Sequence, residues 1–338
     1  ITTGNKGIGV YAEGAGTTVT VGNTANITVG VDGIYMYSKG ATLNFSGNIT
    51  ANNQIGIVAD GGTINAMGAS TITVQNGGIG AYVKNAAPAF GTTTIDVQTG
   101  TSSEYYSIGV YYDGVSSIGT APVITQTGSY TIGMVLNNST GTTAGGISIG
   151  GSGTSNQVGV MAKGNSNLTV AGTVNISGGD NNIGVYGESS AITVTGDISA
   201  ASVSSLTNSS IGVFLDKGSS YTGTVGNISA GSNSIGIYGK NMVGGTITQS
   251  GTTMNVGTNG VGIYGEGNGN INLSMGTITL SDKNSIGVYA KGLNSVVTGN
   301  MGIGADTSIG IASEGNGNVT YTGAITIDDK GTGIGDTA

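Results

Sequence analysis

The chain is 338 residues long, with 67 Gly, 2 Pro, 9 Lys against 17 acids, a net charge of −8, and no Arg, His, Cys or Trp. Without His or Cys there can be no Ser-His-Asp triad, no cysteine nucleophile and no His/Cys zinc or haem site. Nine scattered Lys cannot build the basic face that nucleic acid or an anionic membrane surface requires. Glycine lacks the strict period of three, and proline the abundance, of a collagen helix. A charged fraction of only 8% argues against disorder. No run of 18 apolar residues suggests a transmembrane helix, and the first twenty residues lack the basic and apolar regions of a signal peptide. The absence of Cys means that the fold needs no disulfide staples.

Along the chain, one motif recurs. Ile-Gly-Val-Tyr and its variants begin at Ile8, Ile34, Ile55, Ile79, Ile108, Ile132, Val158, Ile183, Ile211, Ile235, Val261, Ile286, Ile309 and Ile334, at intervals of 21 to 29 residues that average about 25. Each copy alternates with the strand period of two. With the first Ile as position i, positions i, i+2 and i+4 read as apolar and core-facing, and i+1, i+3 and i+5 as outward. Two further short alternating segments follow in most copies, such as Thr18–Val21 with 26–29, and Asn270–Leu273 with Thr277–Leu280. Gly, Asn and Ser punctuate them, as turns require. Three short strands per 25 residues, with no helical segment between, predict an all-β, single-stranded parallel β-helix of about 13 coils. At about 4.8 Å per coil this is a rod roughly 60 Å long, in which equivalent residues stack. Residues 1–338 read as one continuous β-helix, a segment of a longer protein.

Stacking makes each repeat position a column. Position i+5 reads Glu13, Lys39, Asp60, Lys84, Asp113, Asn137, Lys163, Glu188, Asp216, Lys240, Glu266, Lys291, Glu314. Nine of the twelve neighbouring pairs are opposite in sign. Like charges directly opposite one another repel, so the alternation supports stacking, and the column reads as a device for register and solubility, with an ion or ligand track as the alternative. Position i+6 is Gly in eight copies and Asn in three, the composition of a corner with positive φ. Position i−2 is Asn at Asn53, Asn156, Asn181, Asn233, Asn259 and Asn284, which predicts an amide ladder. Position i+1 is Gly in thirteen of fourteen copies, with Tyr35 the departure, and i+3 is Tyr in eight and Phe214 in a ninth. The simplest reading lays each ring over a neighbouring Gly; the alternative is an aromatic face that docks a glycan, a partner or a neighbouring domain.

Solenoids carry binding loops as insertions. The longest interval, Ile79 to Ile108, places Glu104, Tyr105 and Tyr106 just before Tyr111 and Tyr112, the most binding-like local composition in the chain. A second insertion, Ser199–Ser210, reads as a plain polar loop. Some parallel β-helices cleave polysaccharides with clustered carboxylates, and the best acid group here is Asp282, Asp306, Asp328 and Asp329. Lys283 and Lys330 sit beside these acids, which share no repeat position, and no catalytic residue, metal site or cofactor is assigned. The calcium repeat G-G-x-G-x-D does not recur. Threonine columns suited to ice appear at Thr71/Thr73 and Thr277/Thr279 but not in most coils.

The strings NSIGVYAKG (Asn284–Gly292), NSIGIYGKN (Asn233–Asn241) and NNIGVYGES (Asn181–Ser189) resemble the passenger repeats of large fusobacterial autotransporter adhesins, of the RadD coaggregation type and its galactosyl-glycan-binding relatives. The resemblance runs through essentially the whole chain, repeat by repeat. It implies a β-helical passenger on the bacterial cell surface, carried through the outer membrane by a C-terminal barrel, binding surface proteins or glycans of other bacteria or host cells. No binding residue carries over, because the matched motif is the structural coil. The expectation is therefore a non-enzymatic, monomeric adhesin segment with no membrane insertion of its own. A polysaccharide-processing enzyme and a pure structural stalk are the alternatives.

Overall fold

A computed structural model describes residues 1–327 except 23, 25, 26, 120, 152 and 305. The chain is an all-β parallel solenoid of about 13 turns, with no α-helix among the described residues. It divides into two compact units, Ile1–Ala144 with Asn156–Leu168, and Gly145–Ser155 with Thr169–Ala338. In the first unit the recurring motif forms seven strands: Ile8–Glu13, Ile34–Lys39, Ile55–Asp60, Ile79–Lys84, Ser107–Asp113, Thr131–Asn137 and Gln157–Lys163. In the second it forms six: Ile183–Glu188, Ile211–Asp216, Ile235–Met242, Val261–Gly267, Ile286–Lys291 and Ile309–Glu314. Within each unit neighbouring strands of this set pair in parallel, residue i on residue i. The fourteenth copy, at Ile334, lies outside the described residues.

The strand does not alternate in the simple way that its sequence suggests. Position i+2 is buried in all but the first and last described coils, fully so at Val185, Val213, Ile237, Ile263 and Val288, and i+4 is buried as at Ala59, Leu215 and Ala290. Position i, expected in the core, is half-buried on the outer wall in most coils and 39% exposed at Ile8; only Ile132 and Val158 are buried. Position i+1, expected outside, points inward. A Cβ on Gly212 would stand 2.3 Å from Ile198 Cγ2, and one on Gly236 2.5 Å from Ile228 Cγ2. The ladder pairs i, i+2, i+3, i+4 and i+5 but skips i+1. The strand therefore kinks at its second residue, and i+1 and i+2 both turn inward. Gly serves here for room: its φ is not positive at any of the twelve described copies, and at ten of them a Cβ would stand 2.4–2.7 Å from the next coil's carbonyl oxygen, with Tyr35 the one larger residue at this position.

The corner after this strand is as expected. All thirteen described i+6 residues have positive φ, from Gly14 to Gly315, including Asn85, Asn138, Ser189, Lys217 and Asn241. The corner before it is the same at i−2: eleven of thirteen residues have positive φ, the six Asn among them. Only Tyr106 and Ser209 depart, each at the end of an inserted loop. The amide ladder forms in the second unit, where Asn259 Nδ2 donates to Asn233 Oδ1 and Asn284 Nδ2 to Asn259 Oδ1, both at 3.0 Å.

Second and third strands follow in most coils, as at Thr42–Phe45 and Ile49–Asn52. In three coils they fuse into the long strands Thr246–Val256, Asn270–Leu280 and Asn294–Ile303. Of the expected strand 26–29, residue 26 lies outside the described set, and residues 27–29 form no strand, with Thr28 in an isolated bridge to Thr2. Pro88 sits in the edge strand Ala87–Ala89, where its missing N–H costs no ladder bond. Asparagine side chains close the turns between coils. Asn227 Oδ1 accepts from Thr253 N at 2.9 Å, and Asn48 Oδ1 from Thr71 N at 3.0 Å.

A buried polar column accompanies the apolar one. In eight of the thirteen described copies position i−1 is polar and at most 1% exposed: Ser107, Thr131, Gln157, Asn182, Ser210, Ser234, Ser285 and Ser308. Each lies where the chain turns into the first strand, and its side chain donates to a backbone carbonyl in the preceding turn or coil. Ser234 Oγ donates to Ala201 O at 2.6 Å, Gln157 Nε2 to Gly128 O at 2.7 Å, and Ser285 and Ser308 both reach Asp282 O at 2.7 Å.

Candidate functional site

The chemically varied surface is the outer wall of the first strands, where i+3 and i+5 project side by side. The charged residues stack as their spacing demands. In the first unit Glu13, Lys39, Asp60, Lys84 and Asp113 are ladder partners in succession, with Asn137 and Lys163 continuing the series. In the second, Glu188 pairs with Asp216, and Glu266 with Lys291 and then Glu314. Lys240 is the exception: the ladder slips between Gly239 and Met242. Stacking does not by itself make ion pairs. Among the described residues only Lys39–Glu13 (2.9 Å) and Lys291–Glu314 (3.7 Å) bridge along the column, while Glu188 is met by Lys217 from the corner beside its like-charged neighbour Asp216.

The carboxylates also hold tyrosines. The hydroxyls of Tyr11, Tyr82, Tyr238 and Tyr289 donate to Glu13, Asp113, Glu266 and Glu314. Tyr82 and Tyr238 are pushed up to about 12, first by burial and then by these acids. In the other direction, the Tyr11 hydroxyl and then Lys39 hold the Glu13 carboxyl below its usual range, and Tyr289 and Lys291 do the same for Glu314.

The rings lie against one another rather than over glycine, whose i+1 position faces inward. In the second unit they form an unbroken series: Tyr186–Phe214 stacked at 5.3 Å, Phe214–Tyr238 and Tyr238–Tyr264 edge-on at 5.0 and 4.8 Å, and Tyr264–Tyr289 stacked at 4.9 Å. In the first unit they form two pairs, Tyr11–Tyr37 and Tyr82–Tyr111, each at 5.4 Å, with Val58 between. Stacking covers a face of each ring, which leaves less flat surface for a sugar than a row of outward faces would. Beside the second series, an open furrow of about 420 Å³ is lined by Asn241, Glu266, Lys291, Glu314 and the corner glycines Gly267, Gly292 and Gly315.

The tyrosine-rich insertion does not come together as one patch. Glu104 and Tyr105 are exposed, Tyr105 at 63%, on a tight turn closed by an antiparallel bridge between Ser102 and Tyr105. Tyr106 packs edge-on against Tyr130 at 6.0 Å. Tyr111 belongs to the outer wall, against Tyr82 and 5.3 Å beneath the Lys163 ammonium. Tyr112 is not a surface residue. It occupies i+4, is fully buried, and its hydroxyl has no hydrogen-bond partner. Burial alone raises its phenol. The loop after Ile198–Ala200 makes a short 3-10 turn, Leu206–Asn208, capped by Ser205.

Among the described residues no three of His, Cys, Asp or Glu gather as a metal-holding group. Asp282 is exposed and Asp306 half-buried, and Asp328 and Asp329 lie outside the described residues. No helix among the described residues is long and apolar enough to cross a membrane. Comparison of the chain with protein-family models, with curated proteins and with solved structures finds no match.

Proposed function

We propose that the chain is a non-catalytic adhesive scaffold: a surface-exposed passenger segment of the autotransporter adhesin kind, which supports bacterial coaggregation and host-cell attachment by holding side chains in fixed columns. One observation carries this reading. The same strand returns in coil after coil and presents half-exposed rings and charges on one wall. Such a surface offers many weak contacts at regular spacing, which is how extended adhesive surfaces gain avidity. The sequence resemblance supports the same direction. The partners proposed are surface proteins or glycans of other cells, and the location is the bacterial surface.

The test is adhesion of beads coated with the 338-residue chain to bacterial and epithelial cells, beside a reducing-sugar release assay on the same glycans. Adhesion without sugar release is the expected result. Sugar release would replace the reading with an enzymatic one, and beads that adhere no better than albumin-coated controls would reduce the chain to a stalk. Tyr105→Ser with Tyr106→Ser asks whether the exposed turn contributes to adhesion.

A further inference from the structure

The charge column of the first unit leaves its own chemistry unfinished. Glu13, Lys39, Asp60, Lys84 and Asp113 alternate strictly in sign over five consecutive coils in register. Yet among the described residues neither Asp60 nor Lys84 forms an ion pair within 4 Å, although they are ladder neighbours. Lys84 is exposed and Asp60 half-buried; the Glu13 and Lys39 side chains are about half exposed. Lys39 closes one internal bridge, to Glu13, and Asp113 accepts from Tyr82 and Asn137. At the centre of the column, Asp60 and Lys84 form no internal bridge among the described residues and leave both signs directed outward.

An alternating stripe is complementary to itself. Turn a second copy over by a two-fold axis that passes between two coils of opposite sign, and every plus meets a minus. We propose that this strip is a homotypic docking surface, on which two copies lie antiparallel, outer wall to outer wall, about an axis between the coil of Asp60 and the coil of Lys84. Asp60 then faces Lys84 of the second copy, Lys39 faces Asp113, and Glu13 faces the neutral Asn137, each contact occurring twice as a two-fold axis requires. No like charges meet.

The i+3 column agrees with charge at the same axis. Val58 breaks the ring series between Tyr37 and Tyr82. The axis sets Tyr82 of one copy opposite Val58 of the other, so a ring meets the smaller aliphatic side chain and not a second ring. It also sets Tyr11 opposite Val135. The spacing selects the occupant. A second copy carries charges at the same repeat of about 4.8 Å, so the match holds along the strip without rearrangement. A polyanion would meet a carboxylate at every second coil.

Six coils span only about 29 Å at that repeat, so a strip one strand wide falls well short of the roughly 800 Å² per partner of a standard interface. Association is therefore weak and salt-sensitive in solution, and grows through multiplicity where many copies face one another. The inference stands apart from the adhesive reading, since a chain can pair with itself whether or not it binds cells.

The experiment is sedimentation of the full 338-residue chain over a concentration series at low and high salt. Weak dimerisation that falls at least about tenfold at high salt is expected. Asp60→Lys alone and Lys84→Glu alone each set like charges across the axis twice, so each single variant stays monomeric. Mixed one to one, they restore opposite charges at both central pairs, and the heterodimer returns. Thermal melts of each variant show whether it is folded, and Asp60→Asn with Lys84→Gln, which weaken without repelling, give intermediate affinities. A chain that stays monomeric at the highest soluble concentration overturns the proposal. So does a dimer that ignores salt and both charge reversals, or a mixture of folded variants that does not associate.

Discussion

Gly236 and Tyr238 stand two residues apart on the strand Ile235–Met242, and they show how differently its two walls are constrained. The inner wall is set by volume. A Cβ on Gly236 would lie 2.5 Å from Ile228 Cγ2 and 2.6 Å from the Gly262 carbonyl oxygen, and neither neighbour has room to retreat. The outer wall is set by contacts that can be edited: Tyr238 touches two rings and donates to one carboxylate, and nothing encloses it. Substitutions inside should cost more than substitutions outside, and cost it for a different reason.

The largest effect expected is from Gly236→Val. Overpacking against both a side chain and a backbone carbonyl should destabilise the chain by about 3 kcal/mol, read as a fall in the denaturant midpoint. A variant as stable as the parent would place i+1 on the outer wall after all. Tyr238→Ala comes next. It removes two edge-on ring contacts worth roughly 0.5–1.5 kcal/mol each, so about 1–3 kcal/mol together. Tyr37→Ala removes one such contact and should cost about half as much. Equal losses would mean that the rings in the second unit do not reinforce one another.

The inner wall also tests how far the sequence could be read. The strand, its register, the charge column and the positive-φ corner at i+6 are legible, because each rests on a side-chain type that repeats in place. The kink at i+1 is not legible from alternation alone, because two consecutive inward residues break the period of two. Its trace was the near-invariance of Gly together with a Tyr only two residues on: an outward Gly beside an outward ring has no volume to save. The buried i−1 column was equally visible as Asn-Ser-Ile-Gly, but a polar residue before a strand reads as a turn until its burial is known. Tyr112 is the reverse case. Its position, i+4, marks it as core, and the local cluster of tyrosines drew it outward instead.

Tyr112→Phe should therefore stabilise. The substitution keeps the ring and removes a buried hydroxyl that no group satisfies, for a gain of about 1 kcal/mol. A higher denaturant midpoint with unchanged cell adhesion is expected, and a loss of stability would reveal a partner for the hydroxyl. The outer rings give a pH signature of opposite kind. Tyr82 and Tyr238 are raised to about 12 from 10.0, so the fold favours their neutral form. That contribution is complete below pH 10 and disappears as the pH rises from 10 toward 12. Tyrosinate absorbance should rise in two phases, with Tyr238→Phe deleting part of the later one.

The smallest effects belong to the charge column, and there the two units should differ. Lys84 pairs in register with Asp60 and Asp113, so Lys84→Glu places like charges directly opposite on both sides. Lys240→Glu creates the same series of acids on paper, between Asp216 and Glu266, but the ladder slips at this residue and Asn241, not Lys240, bonds Asp216. Each exposed pair is worth at most about 1 kcal/mol, so thermal melts at low salt, on protein dilute enough to be monomeric, should show a measurable loss for Lys84→Glu and a smaller one for Lys240→Glu. Both should shrink at high salt. If Lys240→Glu costs the more, the slip does not relieve the column, and its alternation is held by charge and not by the backbone ladder.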